Sequence, residues 1–90
     1  MNKIIITIVG VNKVGIVAKS CAYLAENNID ILDITQTILK EYFNMMMIVD
    51  ISKSTKPFDT ISKELEKTGE EIGVTIHCQR EEIFTSMHRI

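Results

Sequence analysis

Two short stretches of this sequence hold the residue types best suited to chemistry. The first, Gly10-Val11-Asn12-Lys13-Val14-Gly15, leads into an apolar pattern of helical spacing. A helix N-terminus presents unpaired N–H groups and a positive dipole end, both of which favour a carboxylate. Gly15 lets the backbone approach a ligand closely, and Asn12 adds amide donors and an acceptor. The second stretch, Asn28-Ile29-Asp30-Ile31, offers Asn28 and Asp30 as acceptors for an ammonium group. An α-amino acid carries both charges at short range and would suit the two stretches together. The plainer reading is that Gly10 and Gly15 shape a turn and Asn12 caps the helix. Asn28 and Asp30 are then ordinary loop residues.

Other reactive side chains form no convincing set. Cys21 and Cys78 are isolated thiols whose separation matches no zinc spacing, and they make no disulfide framework. Cys21 falls on a helical apolar stripe, where a thiol acts as a small buried hydrophobe. His77 and Cys78 are neighbours on a strand and face opposite ways. His88 has no metal partner nearby. The Met45-Met46-Met47 run also alternates between faces, so it reads as core and interface filling. No catalytic residue, metal site or cofactor is expected.

Ten basic against twelve acidic residues give a net charge of −2. The basic residues are scattered, which argues against a nucleic-acid footprint, since that shows as a basic patch or stripe. No apolar stretch approaches the ~20 residues of a membrane span. Met1-Asn2-Lys3 leads straight into a strand pattern without the features of a signal peptide. A reduced, cytoplasmic protein is expected.

The elements follow from hydrophobic periodicity. Lys3 to Val9 is β-branched and apolar on both faces, as a central strand would be. Gly10 to Gly15 reads as a turn. A helix follows from about Val14 to Asn27, with Ile16, Val17, Cys21 and Leu24 as its apolar stripe. Ile29 to Leu39 alternates, with Leu32, Ile34 and Ile38 on one side and Asp33, Thr35 and Thr37 on the other. That describes an edge strand with one dry face. After a Lys40-Glu41 turn, Tyr42 to Ile51 puts Phe43, Met45, Met47, Val49 and Ile51 on one face. Pro57 sits where a first-turn proline belongs, opening a helix through Phe58, Ile61, Leu65 and Ile72. Gly69 weakens that helix and Gly73 stops it. Val74, Ile76 and Cys78 mark a second edge strand.

The order is β-α-β-β-α-β. Right-handed crossovers then give an α+β, ferredoxin-like sandwich. Its four-stranded antiparallel sheet has the order 2-3-1-4, with two helices on one face. Both faces of strands one and three are apolar, yet two helices cover one face. A second copy of the chain, or a short C-terminal helix carrying Ile83, Phe84, Met87 and Ile90, is expected to shield the other. A homodimer or higher oligomer is therefore expected.

Several motifs resemble the ACT domain, a regulatory module attached to many enzymes of amino-acid metabolism. Gly10 closes strand one and Gly15-Ile16-Val17-Ala18 opens the helix. Asn28-Ile29-Asp30-Ile31 enters strand two, and Asp33-Ile34-Thr35-Gln36 lies within it. The resemblance runs from Lys3 to Cys78. It implies domain limits of 1–80, with a tail at 81–90. The Gln36-Thr37-Ile38-Leu39 segment, the Tyr42 to Met47 run and the closing Met87-His88-Arg89-Ile90 are similar to small bacterial and archaeal proteins built of one ACT domain. The first turn departs from the Asp-Arg-Pro-Gly of many members and reads Asn12-Lys13-Val14-Gly15.

The resemblance implies a small amino acid held between neighbouring protomers by Asn12, Lys13, Val14, Gly15 and Ile16 from one loop. Asn28, Ile29, Asp30 and Ile31 supply the other. The alternative is an oligomerisation or interaction module without a ligand. An acylphosphatase-like hydrolase would use the same first loop as an anion cradle. It would have Lys13 and Asn44 as its candidates, and the loop lacks an arginine.

Overall fold

The computed structural model describes residues 2–11 and 14–81. The elements run β1 (Lys3–Val11), α1 (Ile16–Glu26), β2 (Asp30–Leu39), β3 (Tyr42–Asp50), α2 (Phe58–Ile72) and β4 (Thr75–Arg80). The sheet has the order β2-β3-β1-β4 with every neighbouring pair antiparallel. Both helices pack on one face. Ile16 and Leu24 of α1 and Ile61 and Leu65 of α2 meet Ile4, Ile6 and Ile8 of β1 and Phe43, Met45, Met47 and Val49 of β3. The C-terminal helix expected over 82–90 lies outside the described residues.

Four expectations need correction. β1 does not end at Gly10: that residue pairs with Phe43 inside the ladder, and the strand continues to Val11. A side chain at Gly10 would come within 2.8 Å of Val74 Cγ1, so close packing is what requires glycine there. The buried stripe of α1 is Ile16, Ser20 and Leu24, whereas Val17 is 38% exposed and Cys21 half-buried. Ser20 is accommodated because its hydroxyl donates to the Ile16 carbonyl at 2.8 Å. Pro57 is the N-cap of α2 rather than its first residue. Finally, β2 has no dry side within the chain, since all ten of its residues are exposed.

Gly69 is not merely a weak point in α2. A Cβ there would lie 2.8 Å from the Val74 carbonyl oxygen and 2.9 Å from Ile76 Cγ1. The missing side chain lets α2 settle against the start of β4. Gly73 then ends the helix in the left-handed region at φ 90°, its N–H donating to the Gly69 carbonyl at 2.8 Å.

A polar contact that periodicity cannot reveal ties the two helices. Tyr23 of α1 donates to Glu64 Oε1 of α2 at 2.6 Å. Lys56 Nζ reaches the same oxygen at 2.7 Å and lies 5.6 Å from the centre of the Tyr23 ring. The Lys56 bond first, and the Tyr23 hydroxyl second, hold the Glu64 carboxyl below its usual range. Burial, reinforced by Glu64, pushes the Tyr23 phenol up. Cys78 is pushed up to about 12, first by burial and then by the charge of Glu66. At neutral pH it is a thiol within the core, with little nucleophilic character.

Two outcomes follow from these contacts. Replacing Gly69 with alanine would gain about 1 kcal/mol of helix propensity. Crowding against a backbone oxygen that cannot swing away costs about 1–3 kcal/mol. Gly69→Ala is therefore expected to lower the urea midpoint; an unchanged or raised midpoint would show that the helix–strand spacing is not limiting. Because the folded-state pKa of Glu64 is lowered, its contribution is complete above the ordinary value of 4.5 and is lost as pH falls through the lower folded value. Urea midpoints between pH 6 and pH 3 should therefore fall less steeply on acidification for Glu64→Gln than for the unmodified protein. Identical acid limbs would mean that the Tyr23–Glu64–Lys56 contact adds nothing to folding.

Candidate functional site

The loop between β1 and α1 ends in an exposed helix terminus. Val14 is fully exposed, and Gly15 takes φ 92° and ψ −4° as the N-cap of α1. An L side chain is strained in that left-handed conformation. Nothing lies within 4 Å of the position a Cβ would take, so backbone conformation, not crowding, requires this glycine. The Gly15 carbonyl accepts the Lys19 N–H at 2.9 Å and starts the helix ladder. No side chain caps the N-terminus at Gly15, and no acidic residue stands in the first turn. The Ile16 side chain is buried in the core, so this residue offers the terminus its N–H alone. Asn12 and Lys13, both predicted site residues, lie outside the described residues.

The second predicted stretch follows the other end of α1. Asn28 takes φ 56°, a conformation asparagine tolerates better than most residues. The Ile29 N–H donates to the Leu24 carbonyl at 2.9 Å, closing the helix end. Ile29 is 5% exposed and belongs to the core. Asp30 is exposed and lies 3.3 Å from Lys53 Nζ. It stands opposite Asp50 of β3. That second carboxylate accepts N–H bonds from Ser52 at 3.0 Å and Asn2 at 3.2 Å. The Ser52 N–H above all holds the Asp50 carboxyl below its usual range. Ile31 is 39% exposed.

Within one chain the two stretches do not meet. Val11, leading into the first loop, pairs with Tyr42, which pairs with Leu39 at one end of the sheet. Asp30 pairs with Asp50, which pairs with Lys3 at the other end. Strand rise puts those ends roughly 25 Å apart, and α1 alone spans about 16 Å between the two stretches. The motif spacing gave no warning of this, because a helix returns the chain to the far end of the sheet.

Elsewhere a groove of about 250 Å³ opens beside β4, lined by Glu66, Glu70, Val74, Thr75, Ile76 and His77. None of the described site residues lines it. Among the described residues, no three His, Cys, Asp or Glu side chains gather as metal ligands. No described helix is long and apolar enough to cross a membrane.

Comparison with known proteins agrees with this architecture. The ACT domain profile matches residues 2–79. The chain is 58% identical to a UPF0237 protein of Bifidobacterium longum and 50% identical to one of Methanocaldococcus jannaschii, each over the full length of both proteins. The solved structure of an ACT domain protein from Streptococcus pneumoniae superposes with a TM-score of 0.81 at 42% identity, covering 92% of this chain and 93% of that one. The element order, the 2-3-1-4 sheet and agreement along nearly the whole sequence lead to one assignment: the chain belongs to the ACT domain family of regulatory domains.

Proposed function

We propose that this chain is a non-catalytic regulatory module that binds a small amino acid where two copies meet. The observation that carries the reading is the N-terminus of α1, which has a left-handed glycine at its cap, no capping side chain and no acid in its first turn. The ligand carboxylate lies against the N–H groups of Val14, Gly15 and Ile16. A helix end is worth roughly 0.3–1 kcal/mol to an exposed anion and up to ~2 kcal/mol in a partly buried one. The ligand ammonium takes Asn28 or Asp30 from the second copy, because the chain's own pair stands at the far end of α1. Binding of this kind needs no metal or cofactor.

The alternative, an oligomerisation module without a ligand, is favoured by one observation. Asp30 already has a cationic partner in Lys53. That ion pair is exposed, with side chains 73% and 53% accessible. Pairs of this type contribute at most about 1 kcal/mol, so a ligand ammonium competes with Lys53 on even terms.

A thermal-shift screen of the twenty amino acids, followed by calorimetry, separates the readings, since a ligand that binds the native state raises its melting temperature. At least one small amino acid is expected to raise it. Gly15→Val should abolish the response by placing a branched side chain in the open space before the helix end. Asp30→Ala should weaken binding by about 1–3 kcal/mol, the range for a lost charge-assisted hydrogen bond. If no amino acid binds at millimolar concentration, the ligand-free module is the correct reading.

A further inference from the structure

Strand β2 is the least finished part of the described fold. It is ten residues long and pairs with β3 on one side, and every residue in it is exposed. Natural edge strands are blunted by shortness, lysine or proline. The opposite edge, β4, follows that rule with six residues. β2 has neither lysine nor proline. Its blunting is limited to a bulge between Ile31 and Asp33 and an exposed 2.9 Å bond from the Ile34 N–H to Asp33 Oδ1. The apolar surface continues onto α1. Val17 and Cys21 lie on the flank of that helix turned away from Tyr23, and so away from α2.

The sequence of the edge indicates what covers it. Ile34-Thr35-Gln36-Thr37-Ile38 reads the same in both directions. Two copies aligned antiparallel about Gln36 set Ile34 against Ile38, Thr35 against Thr37 and Gln36 against itself. Ile34 and Ile38 lie on the helix side of the sheet, as do their buried β3 partners Met47 and Phe43, and are 44% and 51% exposed. Each isoleucine thus meets an isoleucine, each hydroxyl a hydroxyl and the amide an amide. Such matched pairs are the unit of sheet stabilisation. One step further out, Asp33 faces Leu39 with Lys40 beside it, so acid approaches base. An axis moved to Leu32 or Asp33 would instead crowd the two Asp33 carboxylates together. Shape, hydrogen bonding and charge all select the same register.

We infer that a second copy of this chain docks on β2, antiparallel and centred on Gln36, to make one continuous eight-stranded sheet. The interface is isologous, as a two-fold requires. It stands whether or not an amino acid binds. It also carries Asp30 of the second copy to the end of the sheet where Val11 and Gly15 lie.

Oxidative cross-linking reads the register without any ligand. In a Cys21→Ser background, Gln36→Cys should give a disulfide-linked dimer, because a residue on the axis meets its own copy within disulfide reach. Thr35→Cys alone should not cross-link, whereas a mixture of Thr35→Cys and Thr37→Cys chains should. Sedimentation equilibrium should show a dimer for the unmodified protein and a monomer for Ile34→Lys/Ile38→Lys with an unchanged circular dichroism spectrum. The open-face control Val9→Lys should remain dimeric. A monomeric unmodified protein, a dimeric double-lysine variant or a Gln36→Cys chain that fails to link would each overturn the inference.

Discussion

Nine residues of β1 run antiparallel to nine of β3, from Lys3 against Asp50 to Val11 against Tyr42. That ladder decides where everything else can go. Its alternation sends Ile4, Ile6, Ile8, Phe43, Met45, Met47 and Val49 to one side, and both helices gather there because that is where apolar surface is removed from water. Its two ends also define the ends of the molecule. The chain leaves β1 at the Val11 end, returns through α1 and enters β2 at the Asp30 end. Any residue before α1 and any residue after it are thereby held a helix length apart.

Depth of packing is set by backbone as much as by side chains. At Gly10 and Gly69, two different elements come within van der Waals limits of the same short segment around Val74 and Ile76. The two glycines let β1 and α2 close on the entry to β4 without a void. Interiors pack at nearly crystalline density, so a single methyl group matters at such a point. The Tyr23–Glu64–Lys56 contact adds orientation at the far side of the helix pair, where apolar packing is less directional.

The same helix layer stops short of β2. Two helices centred over β1 and β3 leave one edge uncovered, and that edge bears Ile34, Ile38 and Leu39 exposed to solvent. The opposite sheet face carries Val9, Val11 and Tyr42, also exposed. For a chain of 90 residues, whose surface-to-volume ratio limits what it can bury alone, such surfaces make association a natural outcome. A regulatory domain benefits from this, because a site shared between copies couples ligand occupancy to assembly.

Sequence alone determined the element order, the 2-3-1-4 sheet and the β3 core face. Those depend on the two-residue period of a strand and the 3.6-residue period of a helix, and both periods are written in the order of side chains. It also fixed Gly73 as the end of α2, since a left-handed cap favours glycine at once. Tertiary structure alone decided that Gly10 and Gly69 serve close packing, because a sequence does not record which neighbour a missing Cβ would strike. Ser20 took the place in the buried stripe of α1 that apolarity assigned to Val17 and Cys21, because the crossing of α1 over the sheet set its inward face and a bond to the Ile16 carbonyl satisfied the hydroxyl. It also decided that β2 is bare on both faces and that the two halves of the predicted site lie at opposite ends of one chain. Periodicity reports which side chains are apolar; how far a helix layer reaches, and to which end of the sheet a connection returns, are set by packing in three dimensions.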